Sequence, residues 1–151
     1  MEVITGSCRL GLWFVHAAWG GNRVYRVRFA REGLPGGDVP VPLRRYCAGM
    51  REDLTTLESP ATEADTVTAA VYRAVRRVPY GETATYGEIA ALVGTAPRVV
   101  GMAMAHNPTP LVIPCHRIVA RDGIGGFSPE LAIKEHLLAM ERENARKNRR
   151  V

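Results

Sequence analysis

Lysine is almost missing from this chain: of 20 basic residues only Lys134 and Lys147 are lysines. Arginine suits bidentate contacts to phosphate, although so one-sided a choice also follows from genome composition. Long apolar runs are missing as well, and none approaches the ~20 residues that a membrane span needs. The opening Met1-Glu2-Val3-Ile4-Thr5-Gly6 has no basic start followed by an apolar stretch, so nothing marks a secretion signal and a cytoplasmic location is expected. Paired cysteines are absent too. Cys8, Cys47 and Cys115 are odd in number, far apart and without a Cys-x-x-Cys, which argues against a disulfide framework and for reduced thiols. A zinc on Cys8, His16 and Cys47 is conceivable, but the spacing fits no usual zinc pattern and a fourth ligand is missing, so neither metal nor cofactor is expected. Asp122-Gly123-Ile124-Gly125-Gly126 lacks the glycine spacing of a dinucleotide fingerprint.

What is present suits a globular α+β protein. A chain of 151 residues, 46% hydrophobic and 23% charged, fits one domain or a small N-terminal domain joined to a larger one. The net charge of +5 favours an anionic partner, nucleic acid first. Leu12–Ala18 and Val24–Ala30 read as strands around the turn Gly20-Gly21-Asn22, with Tyr25, Val27 and Phe29 on one face and Arg26 and Arg28 on the other. After a Gly/Pro-rich loop from Gly33 to Pro42, the stripe Leu43, Tyr46, Cys47, Met50, Leu54 and Leu57 predicts a helix that places Cys47 in the core. Ser59–Asp65 reads as a linker, dividing the chain into an N-terminal domain, 1–60, and a C-terminal one, 61–151.

The C-terminal part reads as mostly helical. A stripe from Val67 to Val78 predicts a helix over Thr66–Arg77. Thr85-Tyr86-Gly87-Glu88 is a capping box opening a second, with Ile89, Ala90, Leu92 and Val93 inward and Gly94 as its stop. A third starts at Thr95 to Pro97 and runs to about His106. Two short helices about a glycine turn make a helix-turn-helix, or a plain helix hairpin. A last helix is expected to start with Ser128 as N-cap and Pro129 at its first position, burying Leu131, Ile133, Leu137, Leu138 and Met140. Beyond Glu143 a basic tail through Arg149-Arg150 is expected to fray.

The run Leu111-Val112-Ile113-Pro114-Cys115-His116-Arg117-Ile118-Val119 carries the chemistry. Its β-branched residues read as a buried strand that breaks near Pro114. A lone cysteine there is most often a structural thiol, but His116 and Arg117 are costly to bury without partners, and the three together mark a site. A thiol near pKa ~8.5 needs help to become a thiolate. On a regular strand His116 would point away from Cys115, so direct contact requires a bend, which Pro114 makes plausible.

Pro-Cys-His-Arg after an apolar strand, with Asn107-Pro108 upstream and a Gly-rich loop and helix downstream, resembles the O6-alkylguanine-DNA alkyltransferases from about Val67 to Glu141. The resemblance implies single-turnover DNA repair, in which Cys115 takes the alkyl group from O6 of a flipped-out guanine, or from O4-alkylthymine, and is consumed. It implies a relay from Cys115 through water to His116 and Glu141, with Tyr86 aiding the departing guanine. Arg98 would fill the space of the flipped base, and Asn107 would hold the segment before the cysteine. The small Gly101 and Ala105 would let the third helix approach the minor groove, where Met102 is an oddity. Ser128, Phe127 and Ile118 would line the base pocket, Phe127 standing where the family commonly has tyrosine. The partner implied is double-stranded DNA carrying O6-alkylguanine, bound by a monomer, with no membrane. A structural ion pair suits Arg117 better than catalysis. Rival readings are a lesion-recognition protein without transfer, a helix-turn-helix regulator, and a cysteine hydrolase.

Overall fold

The computed structural model describes residues 2–148. Residues up to Pro60, together with Pro108–Val112, form one compact unit, and Ala61–Asn107 with the residues from Ile113 onward form another.

In the first unit β1 (Ile4–Leu10), β2 (Trp13–Gly20) and β3 (Arg23–Ala30) make an antiparallel sheet in that order. β1 was not expected, because Gly6-Ser7-Cys8-Arg9 is poor in strand formers. It is held by a continuous register from Ile4↔Trp19 to Leu10↔Trp13. Between β2 and β3 the register steps from Ala18↔Arg26 to Trp19↔Val24 and passes over Tyr25. Such a bulge sets two residues against one and shifts the alternation. Val24 therefore joins Val27 and Phe29 as buried residues, while Tyr25, expected beside them, is 38% exposed. α1 (Val41–Cys47) stops short of the length its stripe predicted, with Gly49 at φ 91°. Leu43, Tyr46, Cys47, Leu54 and Leu57 are still buried, but Met50 is exposed. Cys8 hydrogen-bonds to Cys47. Cys8 pairs with Val15, so His16, one residue on, projects from the opposite face, where its Nε2–H donates to Glu32 O at 2.6 Å. The conceivable zinc trio is therefore not assembled. Val27 N–H donates to Pro108 O at 2.9 Å, and the Thr109 hydroxyl donates to Ser59 Oγ at 2.8 Å, which ties the returning segment to this unit.

The second unit holds α2 (Val67–Val75), α3 (Tyr86–Val93), α4 (Pro97–Ala105) and α5 (Leu131–Asn148), with a short parallel pair of β4 (Ala84–Thr85) and β5 (Ile118–Val119). The Thr66 hydroxyl caps α2 by accepting from Ala69 N–H. The capping box at α3 is complete: Thr85 Oγ1 accepts from Glu88 N–H and Glu88 Oε1 from Thr85 N–H. Gly94 ends that helix at φ 84°, and the axes of α3 and α4 meet at 107°, inside the helix-turn-helix range. Val71, Tyr72, Val75, Ile89, Val100, Ile113 and Ile118 form the core, each large side chain contributing roughly 1.5–3 kcal/mol by burial. The Tyr72 hydroxyl, donating to Ala103 O at 2.9 Å, ties α2 to α4.

Three expectations fail here. Leu92 is 77% exposed rather than in the core, because Ile89, Ala90 and Val93 already fill the inward arc of a two-turn helix. α5 begins at Leu131, so Ser128 and Pro129 precede it, and Leu131 itself is exposed while Ile133 and Leu137 are buried. α5 also continues past Glu143, where a tail was expected, supported by an Arg146–Glu143 ion pair and by Asn144 Nδ2–H donating to Tyr80 Oη. The rest of that tail, Arg149-Arg150, lies outside the described residues. No single helix among those described is long and apolar enough to cross a membrane.

Candidate active site

The run around Cys115 is not the strand its composition predicts. Leu111 sits at φ 76°, Pro114 at φ −77° and ψ 66°, and Cys115–Arg117 form a 3₁₀ turn, leaving only Ile118–Val119 extended. Cys115 N–H donates to Ile113 O at 2.7 Å and Arg117 N–H to Pro114 O at 2.9 Å. In such a turn neighbours are about a third of a revolution apart, so Cys115 and His116 are no longer forced to opposite faces.

Glu141, on α5 and 1% exposed, is the hub. Its Oε2 accepts from His116 Nε2–H at 2.6 Å and Arg117 Nη2–H at 3.0 Å, and its Oε1 from Arg117 Nε–H at 2.9 Å and Gly81 N–H at 3.0 Å. Four donors saturate a carboxylate. Burial alone would raise the Glu141 pKa, but His116 and Arg117 outweigh it and hold the group well below the carboxylate range. His116 is shifted down, first by burial and against the pull of Glu141, so the ring is held neutral. With its proton on Nε2, the lone pair lies on Nδ1. Arg117 is the structural partner its sequence suggested: it also donates to Val78 O at 2.9 Å and lies 5.6 Å from the Tyr80 ring centre.

Gly81 adopts φ 82°, and a Cβ there would come 2.7 Å from Ala145 Cβ. Gly81→Ala is expected to cost about 1–3 kcal/mol through left-handed strain and crowding, read as a lower midpoint in urea unfolding.

Cys115 is 8% exposed, and burial pushes its thiol up to about 11, opposed first by the Asn107 side chain and then by the charge of Lys134. Asn107 Nδ2–H also donates to Ile113 O at 2.9 Å, so this residue joins the end of α4 to the turn. Tyr86, at the first position of α3, accepts from Gly126 N–H, and burial followed by the Cys115 charge raises its pKa, keeping the phenol a proton donor. A Cβ at Gly125 would stand 3.1 Å from Tyr86 Oη, so the glycine loop packs closely over it.

Cys115, His116, Glu141, Asn107 and Tyr86 are thus brought together. Arg98, Gly101 and Ala105 lie elsewhere, on the outer face of α4 at helical spacing, with Met102 62% exposed among them. The Arg98 side chain makes no hydrogen bond or ion pair among the described residues. Ser128 is exposed and Phe127 half-buried in the loop before α5. Ile118, expected to line the base pocket, has its side chain fully buried in the core, and its carbonyl accepts from Lys134 Nζ–H. Lys134 was missed. It is fully buried, and its Nζ donates to Ile118 O at 2.6 Å and Gly126 O at 3.1 Å. Its place at the helical spacing of Ile133 and Leu137 was the one available signal.

The second unit thus holds two short helices meeting at 107° about a glycine turn together with a buried thiol and a buried His–Glu pair, the combination of a helix-turn-helix and a candidate nucleophile. The family model described as 6-O-methylguanine DNA methyltransferase, DNA binding domain, matches residues 66–143, just over half of the chain. A methylated-DNA–protein-cysteine methyltransferase from Metallosphaera sedula is 52% identical over 71 residues, 47% of this chain and 46% of that protein. This alignment spans about half the length of that curated relative. The solved O6-methylguanine methyltransferase of Mycobacterium tuberculosis is 25% identical over 95% of this chain and 94% of its own, with a TM-score of 0.71. That of Methanococcus jannaschii is 30% identical over 90% and 92%, with a TM-score of 0.63. The chain belongs to the O6-methylguanine-DNA methyltransferase family.

Proposed function

We propose that this protein repairs DNA by moving the alkyl group of O6-alkylguanine irreversibly onto Cys115. The observation that carries the reading is the buried His116–Glu141 pair at 2.6 Å, whose histidine is next to Cys115 in one 3₁₀ turn, in a unit that also holds a helix-turn-helix. Glu141 fixes the proton on Nε2 of His116, and Nδ1 takes the thiol proton through a water. The sulfur attacks the alkyl carbon in line, the O6–carbon bond breaks, and guanine leaves with its electron pair and receives a proton from the Tyr86 hydroxyl. A thioether does not hydrolyse, so each protein acts once. The C-terminal unit would be both DNA-binding and alkyl-accepting, with double-stranded DNA as partner, a monomer as working form and the cytoplasm as location. Ser128 and Phe127 would border the base, and O4-alkylthymine is a second substrate class to test.

Intact-protein mass after mixing with duplex DNA holding one O6-methylguanine decides the matter. A gain of one methyl on Cys115, saturating at one per protein, is expected; tight binding without gain would make the protein a recognition factor. Flipping the nucleotide costs a few kcal/mol, and the exposed guanidinium of Arg98 at the start of α4 is suited to occupy the vacated space. Arg98→Ala is expected to slow transfer from duplex tenfold or more, on the order of 1.4 kcal/mol, while leaving transfer from a free alkylguanine base unchanged. Equal losses on both substrates would remove that role.

A further inference from the structure

One face of the three-stranded sheet buries Val15, Ala17, Val27 and Phe29 in the core of the first unit; the other is cationic. Alternation and register place Thr5 and Ser7 of β1, Phe14, His16 and Ala18 of β2, and Arg26 and Arg28 of β3 on that second face. Two rows run across it, Thr5–Ala18–Arg26 and Ser7–His16–Arg28. None of these residues is acidic. The segment after β3 is tied over the face, with His16 Nε2–H donating to Glu32 O at 2.6 Å and Leu34 N–H to Ser7 Oγ at 2.8 Å. Here lies a cavity of about 130 Å³, whose lining includes Thr5, His16, Arg26, Arg28 and Leu34. A water takes up about 30 Å³ in the liquid, so a tetrahedral oxyanion fits.

Two features of the lining call for a ligand. Arg26 and Arg28 are exposed, and neither side chain has a hydrogen bond or ion pair among the described residues. Two positions apart on one strand face, roughly 7 Å at Cα, their guanidiniums repel until an anion lies between them. The second feature is His16, only 8% exposed, whose Nδ1 is buried without a hydrogen-bond partner. Its Nε2 must donate, because Glu32 O can only accept, so Nδ1 of the neutral ring is an acceptor that lacks a donor. Leaving a buried acceptor unmatched is costly.

We propose that this cavity is a binding site for a phosphate group that keeps one O–H, either free hydrogen phosphate or a singly protonated phosphomonoester. Its charged oxygens accept from the Arg26 and Arg28 guanidiniums, whose planar forks suit phosphate. Its O–H donates to His16 Nδ1 and completes the ring's hydrogen bonding. A diester of the nucleic-acid backbone has no O–H to offer and leaves Nδ1 as it was. Sulfate, which matches phosphate in shape but is fully ionised at neutral pH, has the same defect. Binding here is independent of the reaction at Cys115.

The experiment is calorimetric titration of the full chain at pH 7 and fixed ionic strength with inorganic phosphate, sulfate and adenosine 5′-monophosphate. Phosphate is expected to bind with a Kd on the order of 1 mM or tighter, and sulfate at least tenfold more weakly. Arg26→Gln and Arg28→Gln are each expected to weaken phosphate tenfold or more with no change in the urea midpoint, since both side chains are exposed. The nitrogen resonance of His16 Nδ1, identified as the one missing from a His16→Phe protein, is expected to move as phosphate saturates. The nucleotide separates the sources: tighter binding than phosphate makes the ligand a monoester, and weaker binding makes it the free ion. No phosphate binding by about 10 mM, or binding that both arginine variants retain in full, overturns the site. Sulfate as tight as phosphate, or an unmoved Nδ1 resonance, overturns recognition of the hydroxyl. Should the His16→Phe protein fail to fold, the phosphate-to-sulfate ratio and the arginine variants still decide.

Discussion

A Cys115→Ser protein is expected to bind duplex DNA carrying O6-methylguanine and to gain no methyl group, with transfer down roughly 10⁴-fold or more, the scale of losing a nucleophile outright. A serine hydroxyl in the same buried turn keeps the shape of the site but cannot reach an anion there, because the desolvation that already pushes the thiol to about 11 acts on a far weaker acid. Binding should persist, since the outer face of α4 is untouched by the change. The paired readings are intact mass for transfer and a gel shift for binding. Transfer by the serine protein would end the proposed chemistry.

Glu141→Ala is expected to be the most damaging change to folding, at about 3–5 kcal/mol, the cost of removing one partner of a buried pair. It strips Arg117 of two hydrogen bonds, His116 of one and Gly81 N–H of another, all inside the second unit. Urea unfolding reads the loss directly. The same cluster sets an acid limit. His116 has a folded pKa below its usual 6.5 and Glu141 one below its usual 4.5, so on acidification the unfolded chain takes up each proton first. Stability from His116 is full above about pH 6.5 and declines below it, and that from Glu141 follows below about 4.5. Unfolding free energy measured from pH 7 down to 4 should fall in that order; a flat profile to pH 4 would contradict the assigned charges.

Apart from the start of α5, the helix boundaries of the second unit were legible because their signals are local. Thr66, the Thr85/Glu88 box, Gly94 and Pro97 act within one turn of chain, and each does what its chemistry predicts. Other failures depend on partners distant in sequence. β1 exists through its pairing with β2, not through its own residues, and Tyr25 is turned outward by a bulge visible only across two strands. The Cys115 run has the composition of a strand, yet the positive φ of Leu111 and the turn after Pro114 bend it, and that bend removes the alternation that separated Cys115 from His116. The catalytic candidates were readable from Pro-Cys-His-Arg and the helix that follows. Lys134 was not, because a lysine among apolar neighbours reads as a long side chain reaching solvent, and only the backbone carbonyls of Ile118 and Gly126 make its burial tolerable.

The pairing of Ala84 with Ile118 and of Thr85 with Val119 covers only two residues on each side, yet it works as a gauge block. One strand leads straight into α3 and the other leads straight out of the Cys115 turn. The spacing between α3 and the Cys115 sulfur is thereby set by main-chain geometry. On the proposed function, in which Phe127 and Ser128 border the base, substitutions there would reshape the pocket without altering that spacing. Changing that spacing takes an insertion or deletion between Thr85 and Tyr86 or between Cys115 and Ile118, and under the proposed function such a change would shift the nucleophile relative to α3.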